Sequence, residues 1–146
     1  MNLAFYIDKV DNTEFNTQLF QLLNEAVAEY KDSTFSIFYN NLDHVGMATN
    51  FAMFNATELW SFTGVLICVS MENTAKALKV INKFKLLHMY DDDKKHNIFD
   101  ILSLMNSEEI TVIAKDEKDA KELYRVTGVK PKQLEGFSVE KILEVI

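Results

Sequence analysis

Three features of this 146-residue chain predict one α/β domain of three layers, a mainly parallel sheet of about five strands between helices. Short apolar runs alternate about five times with amphipathic helical stretches, and the connections between them are short. The clearest run, residues 65–70, is apolar almost throughout, as a strand covered on both faces requires. Successive strands joined through helices by short links pair in parallel through right-handed crossovers. The expected fold is therefore Rossmann-like, with residues 1–146 forming a single domain.

The elements follow in order. Residues 3–8 form an apolar run ending at Asp8, the pattern of a first strand that emerges at a loop. Over residues 13–30, Phe15, Leu19, Leu22, Leu23, Ala26, Val27 and Tyr30 recur at helical spacing, with Asp11, Asn12 or Thr13 available as cap. Residues 35–39 read as a second strand and 40–44 as a polar loop, while residues 47–54 fit strand or coil equally. Asn55 with Glu58 three residues on marks a short capped helix that stops before Gly64. After the strand at 65–70, a helix over 73–82 carries an apolar stripe of Ala77, Leu78, Val80 and Ile81. Residues 85–90 are a further strand, 91–95 a solvated break, 98–105 a helix and 110–114 a fifth strand. Asp116 caps a helix over 117–126 that ends at Gly128 with Pro131 beyond. Ser138 caps a last helix over 139–146, and Phe137 is placed to staple onto Ile142.

Composition narrows the function classes. Hydrophobic residues are 48% and charged residues 25% of the chain, values of a globular protein, and the net charge of −7 repels phosphate backbones and anionic lipid. No nucleic acid and no membrane surface is expected as a partner. Cys68 is the sole cysteine and sits within Val65-Leu66-Ile67-Cys68-Val69, where a thiol acts as a small core hydrophobe. The start of the chain has no basic or apolar leader, so the expected compartment is the cytoplasm.

In an open parallel sheet, ligands sit beyond the carboxyl ends of the strands, which makes Asp8, Asn40, Asn41, Ser70, Glu72, His88 and Lys115 the ligand-binding candidates. Asp11, Asp43, His44, Asn73, Asp91 and Asp92 belong to the same polar set. Loops must be solvated, so the same residues also fit a purely structural role. Asp8-Lys9-Val10-Asp11-Asn12 lacks glycine, which removes both the dinucleotide fingerprint and the phosphate-cradling loop. His44, His88 and His96 match no metal-ligand spacing, Ser70 lacks the glycines of a nucleophile elbow, and Cys68 is predicted buried. A phosphoacceptor receiver domain needs an aspartate where Ser70 stands and a proline where Asp116 follows Lys115. No catalytic residue, metal or cofactor is therefore singled out, while a small hydrolase using Asp8, His44 or His88 as acid and base, with or without a metal, stays open as an alternative. Phe51, Met53, Phe54, Leu59, Trp60 and Phe62 fit either core packing or a surface that docks another protein or a second copy, since aromatic residues and methionine are enriched at interface cores.

One stretch carries a family resemblance. Ile110-Thr111-Val112-Ile113-Ala114-Lys115-Asp116-Glu117-Lys118-Asp119-Ala120-Lys121-Glu122-Leu123-Tyr124, then Thr127-Gly128-Val129-Lys130-Pro131, resembles the end of the N-terminal half of GT-B glycosyltransferases. There a strand and helix lead through a Gly-Val-Lys-Pro-like turn toward a second Rossmann-like half. The family's acceptor half often has a glycine-rich loop where Lys9-Val10-Asp11-Asn12 stands here, and the chain has no counterpart of the donor-binding half. The resemblance thus implies a module that binds a sugar or nucleotide without transferring it alone, and no catalytic residue carries over. The expectation favoured by the residues themselves is a non-catalytic accessory protein acting through protein–protein binding or self-association. Its richness in Asn, Lys, Ile and Phe suits an AT-rich genome such as that of a bacteriophage.

Overall fold

The computed structural model describes residues 1–81, 84–91 and 97–146. Seven strands form one parallel sheet: β1 (Asn2–Val10), β2 (Thr34–Leu42), β3 (Ala52–Asn55), β4 (Gly64–Cys68), β5 (Phe84–Tyr90), β6 (Ile110–Ala114) and β7 (Lys132–Gln133). Among the described residues five helices, α1 (Glu14–Glu29), α2 (Met71–Leu78), α3 (Ile98–Met105), α4 (Glu117–Thr127) and α5 (Val139–Val145), cover it, with a 3₁₀ helix over Ala56–Ser61. The expected fold class is the observed one, and the two strands beyond the expected five are the short edges β3 and β7.

Strand order across the sheet is β3-β2-β1-β4-β5-β6-β7. The chain winds outward from β1 to β3, returns to the middle at β4, and winds outward the other way. Alternate side chains of each strand feed opposite layers, because the side-chain period of a strand is two residues. Leu3, Phe5 and Ile7 join Leu19, Phe20 and Leu23 of α1 and Ile142 of α5 on one face. Ala4 and Tyr6 join Ala77 of α2, Ile101 and Leu104 of α3 and Leu123 of α4 on the other. Phe137 packs into the first of these layers, the layer of Ile142.

Local chemistry sets the helix starts, at Thr13, Asn55, Asp116 and Ser138 as expected and at Ser70 two residues before the expected start of α2. The side chains of Thr13, Asn55, Ser70, Asp116 and Ser138 each accept a backbone N–H bond from the first turn that follows. Gly128 takes the left-handed conformation at φ 71° and ends α4. Two readings are corrected. Residues 40–42 continue β2 rather than starting a loop, because β1 runs alongside as far as Val10 and supplies their ladder partners. The apolar stripe of α2 is also displaced. That helix begins at Met71 and ends at Leu78, buries Asn73, Thr74 and Ala77, and leaves Leu78 41% and Ile81 102% exposed. Asn82 lies outside the described residues.

Cys68 is fully buried, and burial raises its thiol from the ordinary 9.0 to about 12 against the opposing hydrogen bond from Thr74. The thiolate is the reactive form. Cys68 is therefore expected to resist a disulfide reagent such as DTNB while the protein is folded and to react fully once it is unfolded in urea. The folded state holds the thiol proton that the unfolded chain releases above pH 9, so this group's contribution to stability falls as pH rises from 9 toward 12. Rapid reaction of the native protein would refute the buried placement.

Candidate functional site

The reversal of strand order falls between β1 and β4, the place where open parallel sheets bind ligands. β4 pairs with β1 only up to Cys68, opposite Tyr6, and then turns into α2, whereas β1 and β2 continue together to Val10 and Leu42. The carbonyl of Tyr6, left at the fork, accepts from the backbone N–H of Val69 at 3.4 Å and from Nδ2 of Asn73 at 3.4 Å. Asn73 is 0% exposed in the first turn of α2.

A hydrogen-bond network spans the fork. The Tyr6 hydroxyl donates to Oδ1 of Asn40 at 2.7 Å, and Nδ2 of Asn40 donates to Oδ1 of Asp8 and to Oδ1 of Asn73, both at 2.9 Å. Both amide protons of Asn40 are thus engaged, and its carbonyl is held by Tyr6. Burial pushes the Tyr6 hydroxyl above the ordinary phenol value, against the pull of the Lys76 ammonium, and keeps it a neutral donor. Lys76 is itself held charged, above the usual lysine value, chiefly by its hydrogen bond to Glu72 at 2.7 Å. Asp8 is exposed at the end of this chain of bonds.

The structure joins some of the candidates and separates others. Asp8 and Asn40 meet directly; Ser70 stands beside them as the cap of α2, its Oγ accepting from the Asn73 N–H at 3.2 Å. Glu72 is on the outer side of α2, paired with Lys76, and Asn41 is exposed beyond Asn40. His88 is elsewhere. It is 0% exposed in the middle of β5, opposite Cys68, with its Nδ1 2.7 Å from the Thr74 hydroxyl. Lys115 directly follows β6 and pairs with Asp91 at 3.6 Å, three strands across the sheet from β1. Asp43 pairs with Lys9 at 2.8 Å and His44 lies in the loop after β2. Asp92 and His96 lie outside the described residues, among which no group of three or more His, Cys, Asp or Glu is placed to hold a metal ion. The sequence gives no sign of Tyr6 as a site residue, because within Leu3-Ala4-Phe5-Tyr6-Ile7 it reads as one more core residue.

The aromatic segment divides in the same way. Phe51 is 7% exposed and packs on Phe20 with ring centroids 5.6 Å apart, and Leu59 is 3% exposed in the opposite layer. Met53 and Phe62 pack against the two layers at their margins. Phe54 and Trp60 reach the surface. A separate groove of about 540 Å³ runs between α2 and α3, lined by Met71, Leu78 and Leu104 together with polar residues such as Glu72, Asp100 and Ser103. Among the described residues no helix is long and apolar enough to cross a membrane.

Strand order, parallel pairing and a polar fork at the reversal define a Rossmann-like doubly wound α/β protein. No family model, curated protein or solved structure matches this chain.

Proposed function

We propose that this chain works without catalysis, as a Rossmann-like binding protein whose surface meets another protein chain, a second copy included. The observation that supports this reading is the closed network at the fork. Tyr6, Asn40 and Asn73 satisfy one another, Ser70 is held by the helix it caps, and His88 is buried away from the strand ends. Such an arrangement fixes the shape of the fork and presents no nucleophile with an adjacent base.

A second reading, a glycosyltransferase-like module that binds a sugar or nucleotide, is favoured by the position of the Asp8 carboxylate at the reversal of strand order. Thermal unfolding against nucleotides, nucleotide sugars, sugar phosphates and divalent cations separates the two. Ligand at a hundred times its dissociation constant adds about 2.7 kcal/mol to the stability of the state that binds it. The binding-protein reading expects no shift with any class. A raised midpoint with one class, abolished by Asp8→Asn, would overturn it in favour of the second.

A further inference from the structure

We infer that the outer edge of β3 is the surface on which two copies of this chain associate, joining two seven-stranded sheets edge to edge; this rests on the protein-binding reading above. β3 is the terminal strand of the sheet, with β2 on one side and no strand partner on the other among the described residues. A terminal strand exposes a row of backbone donors and acceptors that templates further pairing unless charge, proline or extreme shortness blunts it. The opposite edge is blunted in all three ways. β7 is only Lys132 and Gln133, and it follows directly on Lys130-Pro131. β3 has none of these protections beyond modest length, for its residues are Ala52, Met53, Phe54 and Asn55.

Charge favours this edge over the rest of the surface as the place where a copy docks. The chain carries a net −7, so two copies repel wherever their acidic surfaces meet. Of the 19 residues from Val45 to Thr63, which include β3 and the 3₁₀ helix beside it, Glu58 alone is charged. A copy of the same protein approaches this stretch with least repulsion, and charge depletion with aromatic enrichment is the composition of an interface core. Phe54, 43% exposed, stacks on Phe38 with centroids 5.6 Å apart, so its ring is presented in a fixed orientation. Trp60, 69% exposed, stands on the adjoining 3₁₀ helix. A two-fold axis perpendicular to the sheet pairs β3 antiparallel with its copy, satisfies the outer backbone groups of both, and buries Phe54 and Trp60 against the partner.

Sedimentation velocity of the full chain from micromolar to submillimolar concentration tests this. The expected result is a concentration-dependent shift from monomer to dimer, with slowed amide hydrogen exchange at Ala52–Asn55 in the dimer. Ala52→Lys and Trp60→Lys, both at exposed positions, are expected to weaken dimerisation by roughly a hundredfold, because the two-fold sets each new charge against the interface twice. Their thermal midpoints report whether the fold is kept. Tyr124→Lys, beside the other edge, is expected to leave the dimer unchanged. A chain monomeric throughout would overturn the inference. A dimer that survives both substitutions with β3 amides unprotected would overturn the edge while leaving protein binding as the function, and a ligand-induced midpoint rise would instead remove that function.

Discussion

Gly64→Ala is expected to lower the unfolding free energy by about 3–5 kcal/mol, a large fraction of the stability of a domain this size. Gly64 opens β4 at φ 135°, a backbone conformation that L side chains rarely adopt. A methyl group there would lie 2.4 Å from the carbonyl oxygen of Asn2 and 2.7 Å from its Cβ. The obstacle is backbone, because β4 crosses to pair with β1 at this point, Leu3 facing Val65. Relief would require the two central strands to separate. Gly128→Ala is the natural comparison: it shares a positive φ but has no atom within 4 Å of the added carbon, so it should cost only about 1 kcal/mol. Urea unfolding with unchanged denaturant slopes measures both. Similar small losses for the two variants would mean that β4 does not approach β1 as closely as described.

Phe51→Ala is expected to cost about 3–5 kcal/mol, whereas Trp60→Ala stays within about 0.5–1 kcal/mol of the parent. Both residues belong to the same aromatic segment, and composition gives no ground for separating them. Phe51 enters the layer beneath α1 and leaves a void against Phe20 when truncated, so transfer and cavity terms add. Trp60 remains mostly in water in the monomer and has little burial to lose. Chemical denaturation of both variants at high dilution checks the contrast. Equal, small losses would return Phe51 to the surface.

The contrast shows where sequence reading reaches its limit. Apolar runs and helical periodicity placed the strands at 3–8, 65–70 and 110–114 and the helix at 13–30, because strand and helix periods are written into neighbouring residues. β7, two residues long behind Pro131, leaves no such pattern, and residues 47–54 mix apolar and polar positions at neither period. The site was half legible. Asp8, Asn40, Ser70 and Asn73 stand where apolar runs give way to polar residues and are visible as strand-end residues, although Asp8 and Asn40 lie within β1 and β2 and Asn73 within α2. Tyr6, which ties Asn40 in place, was hidden inside an apolar run.

In the sequence His88 and Lys115 look equivalent to Asp8, because every strand end looks alike until the order of the strands is known. With β5 and β6 two and three places from β1, Lys115 is about 14 Å across the sheet from Asp8 at the usual strand spacing. His88 lies two residues short of the end of β5 and beneath α2.

By itself the sequence determined the α/β class, most of the elements and several of their caps, and the acidic, charge-poor and aromatic stretches, because each depends on residues within a few positions of one another. Only the tertiary structure decided which strands are neighbours, which polar ends meet at the fork, which aromatic residues are core and which edge is left open. Those outcomes depend on how the crossovers pack distant segments, and residues such as Tyr6 and Asn40, 34 positions apart, meet only when the sheet is closed.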